Sequence, residues 1–151
     1  RKALPNRLFK VLGTHFMKSA FLILFMLFTM SCSRIEQAFT KIFDVSTDTI
    51  NLASEIKSDW DRFCIITPYS TDAYASEILG LDFVVMNKSN ISVTENIALL
   101  VFVDKSNVVK YFETPRNNVD FTSLGARCFK KSEATFNIVR EANGWTYLER
   151  T

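Results

Sequence analysis

Histidine is nearly missing: the 151-residue chain has one, His15, ahead of an apolar leader-like segment. That scarcity removes Ser-His-Asp and Cys-His nucleophilic machinery, His-ligated zinc and the commonest general base near neutral pH from everything downstream. Glycine is scarce too, at positions 13, 80, 125 and 144, too scattered to cradle a phosphate. Three prolines and the lack of low-complexity sequence leave no Pro-rich linker. Asp59 and Asp61 flank Trp60 and would share one side of a strand, so a carboxylate pair is conceivable; a solvated strand entrance around a buried Trp60 is the preferred reading. No catalytic residue, metal ligand or cofactor is read from the sequence, and the chain is expected not to be an enzyme.

Long apolar runs are also lacking. The uncharged stretch at 19–33 is closed by Lys18 and Arg34 and falls short of the roughly 20 apolar residues that span a bilayer core. A basic Lys18, an apolar run at 20–28 and the modest residues Thr29 and Ser31 before Cys32 instead read as an export signal at 17–31. Residues 1–16, which carry Arg1, Lys2, Arg7 and Lys10, are read as an over-extended start, with Met17 as the expected N-terminus. The end of the signal resembles a bacterial lipobox: Ser31 fits the small position before the cysteine, while Thr29 and Met30 depart from the usual Leu and small residue. The resemblance implies that Cys32 carries lipid, and Ser33 after it, by likeness to lipoprotein sorting, implies the outer membrane. Ordinary secretory cleavage near Ser31 and Ser33, giving a soluble periplasmic protein, stays open.

Five of the eighteen basic residues precede Cys32, leaving thirteen against all sixteen acidic ones, a net −3. A mildly acidic chain speaks against a nucleic-acid partner, which would need a concentrated basic surface. The cluster Arg127, Lys130 and Lys131 reads as a solvated strand edge or loop. With Cys32 assigned to lipid, one cysteine pair remains, Cys64 and Cys128. In an oxidising compartment these should form a disulfide, worth about 4 kcal/mol on the chain-entropy model; two buried free thiols are the alternative.

The remaining pattern predicts an α+β fold: one small domain at 46–151, an antiparallel sheet of about five strands with two or three helices, after a tether or short helix at 32–45. Ile35, Ala38, Phe39 and Ile42 share a helical face in that tether. A second helix is expected after the caps Ser46, Thr47 and Asp48, using Ile50, Ala53 and Ile56 and ending near Asp59. Residues 60–67 read as a strand ending at Pro68. Ser70 or Thr71 caps the clearest helix, Gly80 ends it, and Tyr74, Ala75, Ile78 and Leu79 form its core face. Phe83 to Met86 read as a strand, followed by an exposed loop at 87–90. The run at 97–103, apolar throughout, needs cover on both faces and belongs at the sheet centre. A hairpin return over 108–113, a strand carrying Cys128 and a last hairpin with an Asn143-Gly144 turn complete the chain.

The spacing Trp60-x-x-x-Cys64, then Pro68-Tyr69, a short helix, the Val101-Phe102-Val103 hairpin, Pro115-Arg116 and Cys128 resembles small uncharacterised lipoproteins of proteobacterial envelopes. That resemblance implies an envelope location and a paired Cys64 and Cys128, but no activity. A fainter likeness links Ile78-Leu79-Gly80 before a hairpin to the small lipoprotein of the outer-membrane β-barrel assembly machinery, from which the strand carrying Cys64 between two helices departs.

Two function classes follow. The first is a non-enzymatic, lipid-anchored envelope protein whose periplasmic domain meets a protein partner in an assembly or interaction role. The second is a small-ligand or envelope-polymer binding module, with Tyr69, Trp145 and Tyr147 as aromatic surfaces and Arg116 or Arg127 as a charged contact. Exposed, concave aromatics would favour the second; their burial would favour the first.

Overall fold

The computed structural model describes residues 37–151. The chain runs β1 (Phe39–Thr40), β2 (Thr49–Asn51), α1 (Leu52–Glu55), β3 (Arg62–Ile66), α2 (Asp72–Leu79), β4 (Ile97–Asp104) and β5 (Asn107–Pro115). A 3-10 turn (Phe121–Leu124), β6 (Cys128–Lys130), a second 3-10 turn (Lys131–Glu133), β7 (Thr135–Arg140) and β8 (Thr146–Arg150) complete it. No helix among the described residues is long and apolar enough to cross a membrane.

The apolar run of β4 dictates the layering. Successive strand side chains point to opposite faces, so Ala98, Leu100 and Phe102 enter one core and Leu99, Val101 and Val103 the other. β3 alternates in the same way, sending Phe63 and Ile65 to the first core and Cys64 and Ile66 to the second. β4 is central in the order β1-β5-β4-β3-β6. The other pairs are antiparallel, but β1 lies parallel to β5. A second antiparallel sheet, β2-β7-β8, contributes Ile50, Phe136, Ile138 and Leu148 to the first core. The expected single antiparallel sheet is therefore corrected to a mixed five-stranded sheet with a three-stranded sheet on one face.

Cys64 and Cys128 stand opposite each other in the β3–β6 register and are joined by a disulfide across a sequence separation of 64. The bond ties the short edge strand β6 to the sheet interior.

Helix α2 forms as its end signals require. Thr71 accepts the Tyr74 amide at its start, and Gly80, at φ 67°, takes the left-handed position that ends it. Ala75 and Leu79 are buried, whereas Tyr74, expected to pack, is exposed.

Three expected elements differ. The described part of the tether is no helix: Phe39 and Thr40 pair with Phe112 and Glu113, and Phe43 is buried in the first core. The Phe43 backbone is held extended by the Asn118 side chain, which accepts from its N–H at 2.8 Å and donates to its carbonyl at 3.1 Å. Ile35 and the signal with Cys32 lie outside the described residues. The second helix shrinks to the single turn α1, because residues 49–51 pair with β7 and Asn51, rather than Ser46 to Asp48, caps it through the Ala53 and Ser54 amides. Phe83 and Val85 are buried as their alternation implies, yet the segment is no strand. Its backbone is satisfied by side chains of α2: Asp72 Oδ1 accepts from the Val85 and Met86 amides, and Ser76 Oγ both accepts from the Phe83 amide and donates to its carbonyl. Asn143-Gly144 sits within a longer loop, since Arg140 is already paired with Thr146 and Glu141 donates to the Trp145 carbonyl.

Candidate functional site

Four loops gather at one end of the five-stranded sheet. The registers Ile66 to Leu99, Ile97 to Pro115 and Cys64 to Cys128 place the chain after β3, before β4, after β5 and before β6 at that end. Tyr69, Arg116 and Arg127 all stand on those loops.

Arg116, just past β5, makes a bidentate pair with Asp120: Nε donates to Oδ1 at 3.1 Å and Nη2 to Oδ2 at 2.9 Å. Nη1 donates to the Glu95 carbonyl at 2.9 Å. Asp120 is 4% exposed and also accepts from the amide and hydroxyl of Thr122 at 2.9 and 2.6 Å. Its backbone amide donates to the Thr146 carbonyl, so the pair is fixed to β8 as well. Burial alone would raise the Asp120 carboxyl; the hydrogen bonds from Arg116 and Thr122 outweigh it and hold the group below the ordinary carboxylate value. The same pair holds the Arg116 guanidinium above its usual range, chiefly through its hydrogen bond to Asp120.

Trp145 precedes β8 on a loop fixed by its amide donating to Asn143 Oδ1 at 2.7 Å. The Arg116 guanidinium carbon lies 5.7 Å from the Trp145 ring centroid, an aromatic–cation stack. Both line a cleft of about 770 Å³, together with Glu95, Asn96, Ile97, Pro115 and Asn117. Trp145 remains 36% exposed.

Of the five residues named as a binding surface, the structure brings Arg116 and Trp145 together in this cleft. Tyr147 is half-buried in β8; its backbone bridges Asp120, but the residue does not line the cleft. Arg127 runs its guanidinium along Gly125, where a Cβ would stand 3.4 Å from Nη2. Tyr69 projects 61% exposed, its amide donating to the Ile91 carbonyl at 2.7 Å. Sequence reading missed Asp120, Glu95, Asn96 and Asn117. The Asp-x-Thr spacing of Asp120 and Thr122, a local turn-capping pattern, was the available signal for Asp120.

Asp61 is taken up structurally, its Oδ2 accepting the Lys105 amide at 2.8 Å and its Oδ1 meeting Arg62 at 3.2 Å, which locks the β4–β5 turn, while Asp59 is exposed. Trp60 is buried, with Nε1 donating to the Ile56 carbonyl. The basic cluster serves local packing, with Lys131 over the Trp60 ring at 5.0 Å. No cluster of three or more His, Cys, Asp or Glu among the described residues could hold a metal.

Comparisons with protein-family models, with curated proteins and with solved structures found no match to this chain.

Proposed function

We propose that this chain is a lipid-anchored envelope protein that works by docking its disulfide-linked domain onto a protein partner, without catalysis. One observation carries the docking part: large apolar side chains are held in solvent on fixed backbone around the N-terminal end of α2. Tyr69, Met86 and Val93 are 61%, 69% and 75% exposed. The Tyr69 amide is tied to Ile91, the Met86 amide to Asp72, and the Val93 amide to the Asn90 carbonyl. Tyr69 also holds φ 61°, a left-handed backbone that a bulky side chain rarely takes and that concentrates at functional positions. Preorganised apolar side chains bind at lower ordering cost than mobile ones. The leader, the lipobox-like Cys32 and the resemblance to small envelope lipoproteins support the anchored, periplasm-facing, outer-membrane part of the reading.

A photo-crosslinking residue placed at Met86 or Val93 of the full chain in its own cells should give one discrete protein adduct, and the same probe at the exposed Ser106, in the β4–β5 turn at the opposite end of the sheet, should not. Equal diffuse labelling at all three positions would overturn the reading. The second class, a small-ligand or envelope-polymer module, is favoured at a different place by the Arg116–Trp145 cleft.

A further inference from the structure

We infer that the Arg116–Trp145 cleft binds a neutral, hydroxyl-rich ligand, a saccharide segment of an envelope glycan. The inference deepens the second reading above and is independent of the Tyr69 surface.

Charge decides the ligand class first. The Arg116 charge is already matched by the buried Asp120 carboxylate, and the formal charge left at the rim is the negative Glu95. A phosphate, sulfate or carboxylate would therefore meet a net negative charge, one cation against the two carboxylates Asp120 and Glu95. A cationic ligand would stand beside the Arg116 guanidinium that already lies over the Trp145 ring, a like charge that offsets the attraction of the ring. A neutral ligand meets neither cost.

The polar groups then fit hydroxyls. Three of the five guanidinium N–H donors of Arg116 are taken by Asp120 and the Glu95 carbonyl, which leaves two to donate in a fixed plane. The side-chain amides of Asn96 and Asn117 have no hydrogen-bond partner among the described residues, and each offers both donor and acceptor. The Glu95 carboxylate adds an acceptor. Adjacent ring hydroxyls, which donate and accept from neighbouring carbons, match such a mixed set.

Trp145 supplies the remaining element. Its ring presents a negative face to the polarised C–H groups on the flat side of a sugar. One aromatic ring among amides also argues against a proline-rich peptide, whose grooves are lined by several aromatic rings. The cleft volume of about 770 Å³ lies in the range of small-molecule sites, roughly 300–1,000 Å³, and its open form lets a polymer pass through.

The two tryptophans make the test internally controlled, because Trp60 is buried far from the cleft lining and Trp145 lies in it. The full chain in detergent is titrated with maltotetraose, chitotetraose and, separately, inorganic phosphate, while the two indole N–H resonances are followed. The expected result is a saturable shift of the Trp145 resonance with a neutral oligosaccharide, a still Trp60 resonance and no saturation with phosphate. Asn117→Ala should weaken binding about tenfold, and Trp145→Phe, which keeps a ring, should retain more affinity than Trp145→Ala, each chain being titrated well below its own melting temperature. No saturable shift with either oligosaccharide, saturation by phosphate, or binding untouched by Trp145→Ala would overturn the inference. Crosslinking at Met86 in the Trp145→Ala chain should be unaltered, so the failure of either proposal is seen separately.

Discussion

The two faces of the five-stranded sheet are covered by different means. On the first face, rings fill the space between two sheets: Phe63 stacks with Phe102 and Phe129 and meets Trp60 and Phe136 edge-on, and Phe112 joins Phe102 to Phe43. On the second face β3 and β4 offer no ring, only Cys64, Ile66, Leu99, Val101 and Val103, covered by α2 and the irregular segment containing Phe83 and Val85. Burying a Phe or Leu side chain contributes about 1.5–3 kcal/mol, so the ring-filled face is held by bulk. The thinner face depends on directional links: the disulfide, and the two α2 side chains that satisfy the backbone of residues 83–86. The two side chains fasten the irregular cover of that face to α2, and the disulfide, which joins neighbouring strands of one sheet, secures the β6 edge beneath it.

That contrast can be broken most forcefully at Phe63. Phe63→Ala should cost about 3–5 kcal/mol, read as a lowered urea midpoint. Replacing both Cys64 and Cys128 by Ala should cost about 2–4 kcal/mol and act chiefly on β6 and α2, seen as faster amide exchange there than in β7 and β8. If exchange instead rose evenly over both faces, the disulfide would not be specific to the thinner one. Asp72→Ala leaves the Val85 and Met86 amides without their acceptor and should cost about 1–3 kcal/mol, with the loss confined to residues 83–89 and α2.

The smallest effect concerns acid. Asp120 has a lowered pKa in the fold, so its stabilisation is complete above the ordinary carboxylate range and fades as pH falls through that range toward the folded value. Melting temperature followed from neutral pH downward should drop less steeply in Asp120→Asn than in the parent chain. Parallel curves would contradict the role given to the Arg116–Asp120 pair. Asp44, also lowered by its hydrogen bonds to Ser46, is fully exposed and is left intact in both chains.

Elements whose hydrogen bonds run to sequence neighbours or to a matching strand were legible from residues alone. The run at 97–103 announced a central strand because every position is apolar, and Thr71 and Gly80 marked the ends of α2 by local backbone chemistry. Phe39, Phe83 and Val85 misled because of what receives their backbone: the distant β5 edge in a parallel pairing for the first, and the side chains of Asp72 and Ser76 rather than a strand for the others. Their apolar spacing reports burial, which it did correctly for Phe83 and Val85, but says nothing about what receives the amide. The cleft was half legible. Arg116 and Trp145 stand out by residue type, yet the parallel bridge between Asp120 and Tyr147 that draws their loops together has no local signature.

Compartment, anchor and staple meet in a single measurement, the intact mass of the protein recovered from a membrane fraction with and without reductant. The account expects a chain that begins at Cys32, carries acyl chains, and gains two hydrogens on reduction as the Cys64–Cys128 bond opens. An unprocessed chain in the soluble cytoplasmic fraction, with all three thiols already reduced, would contradict it.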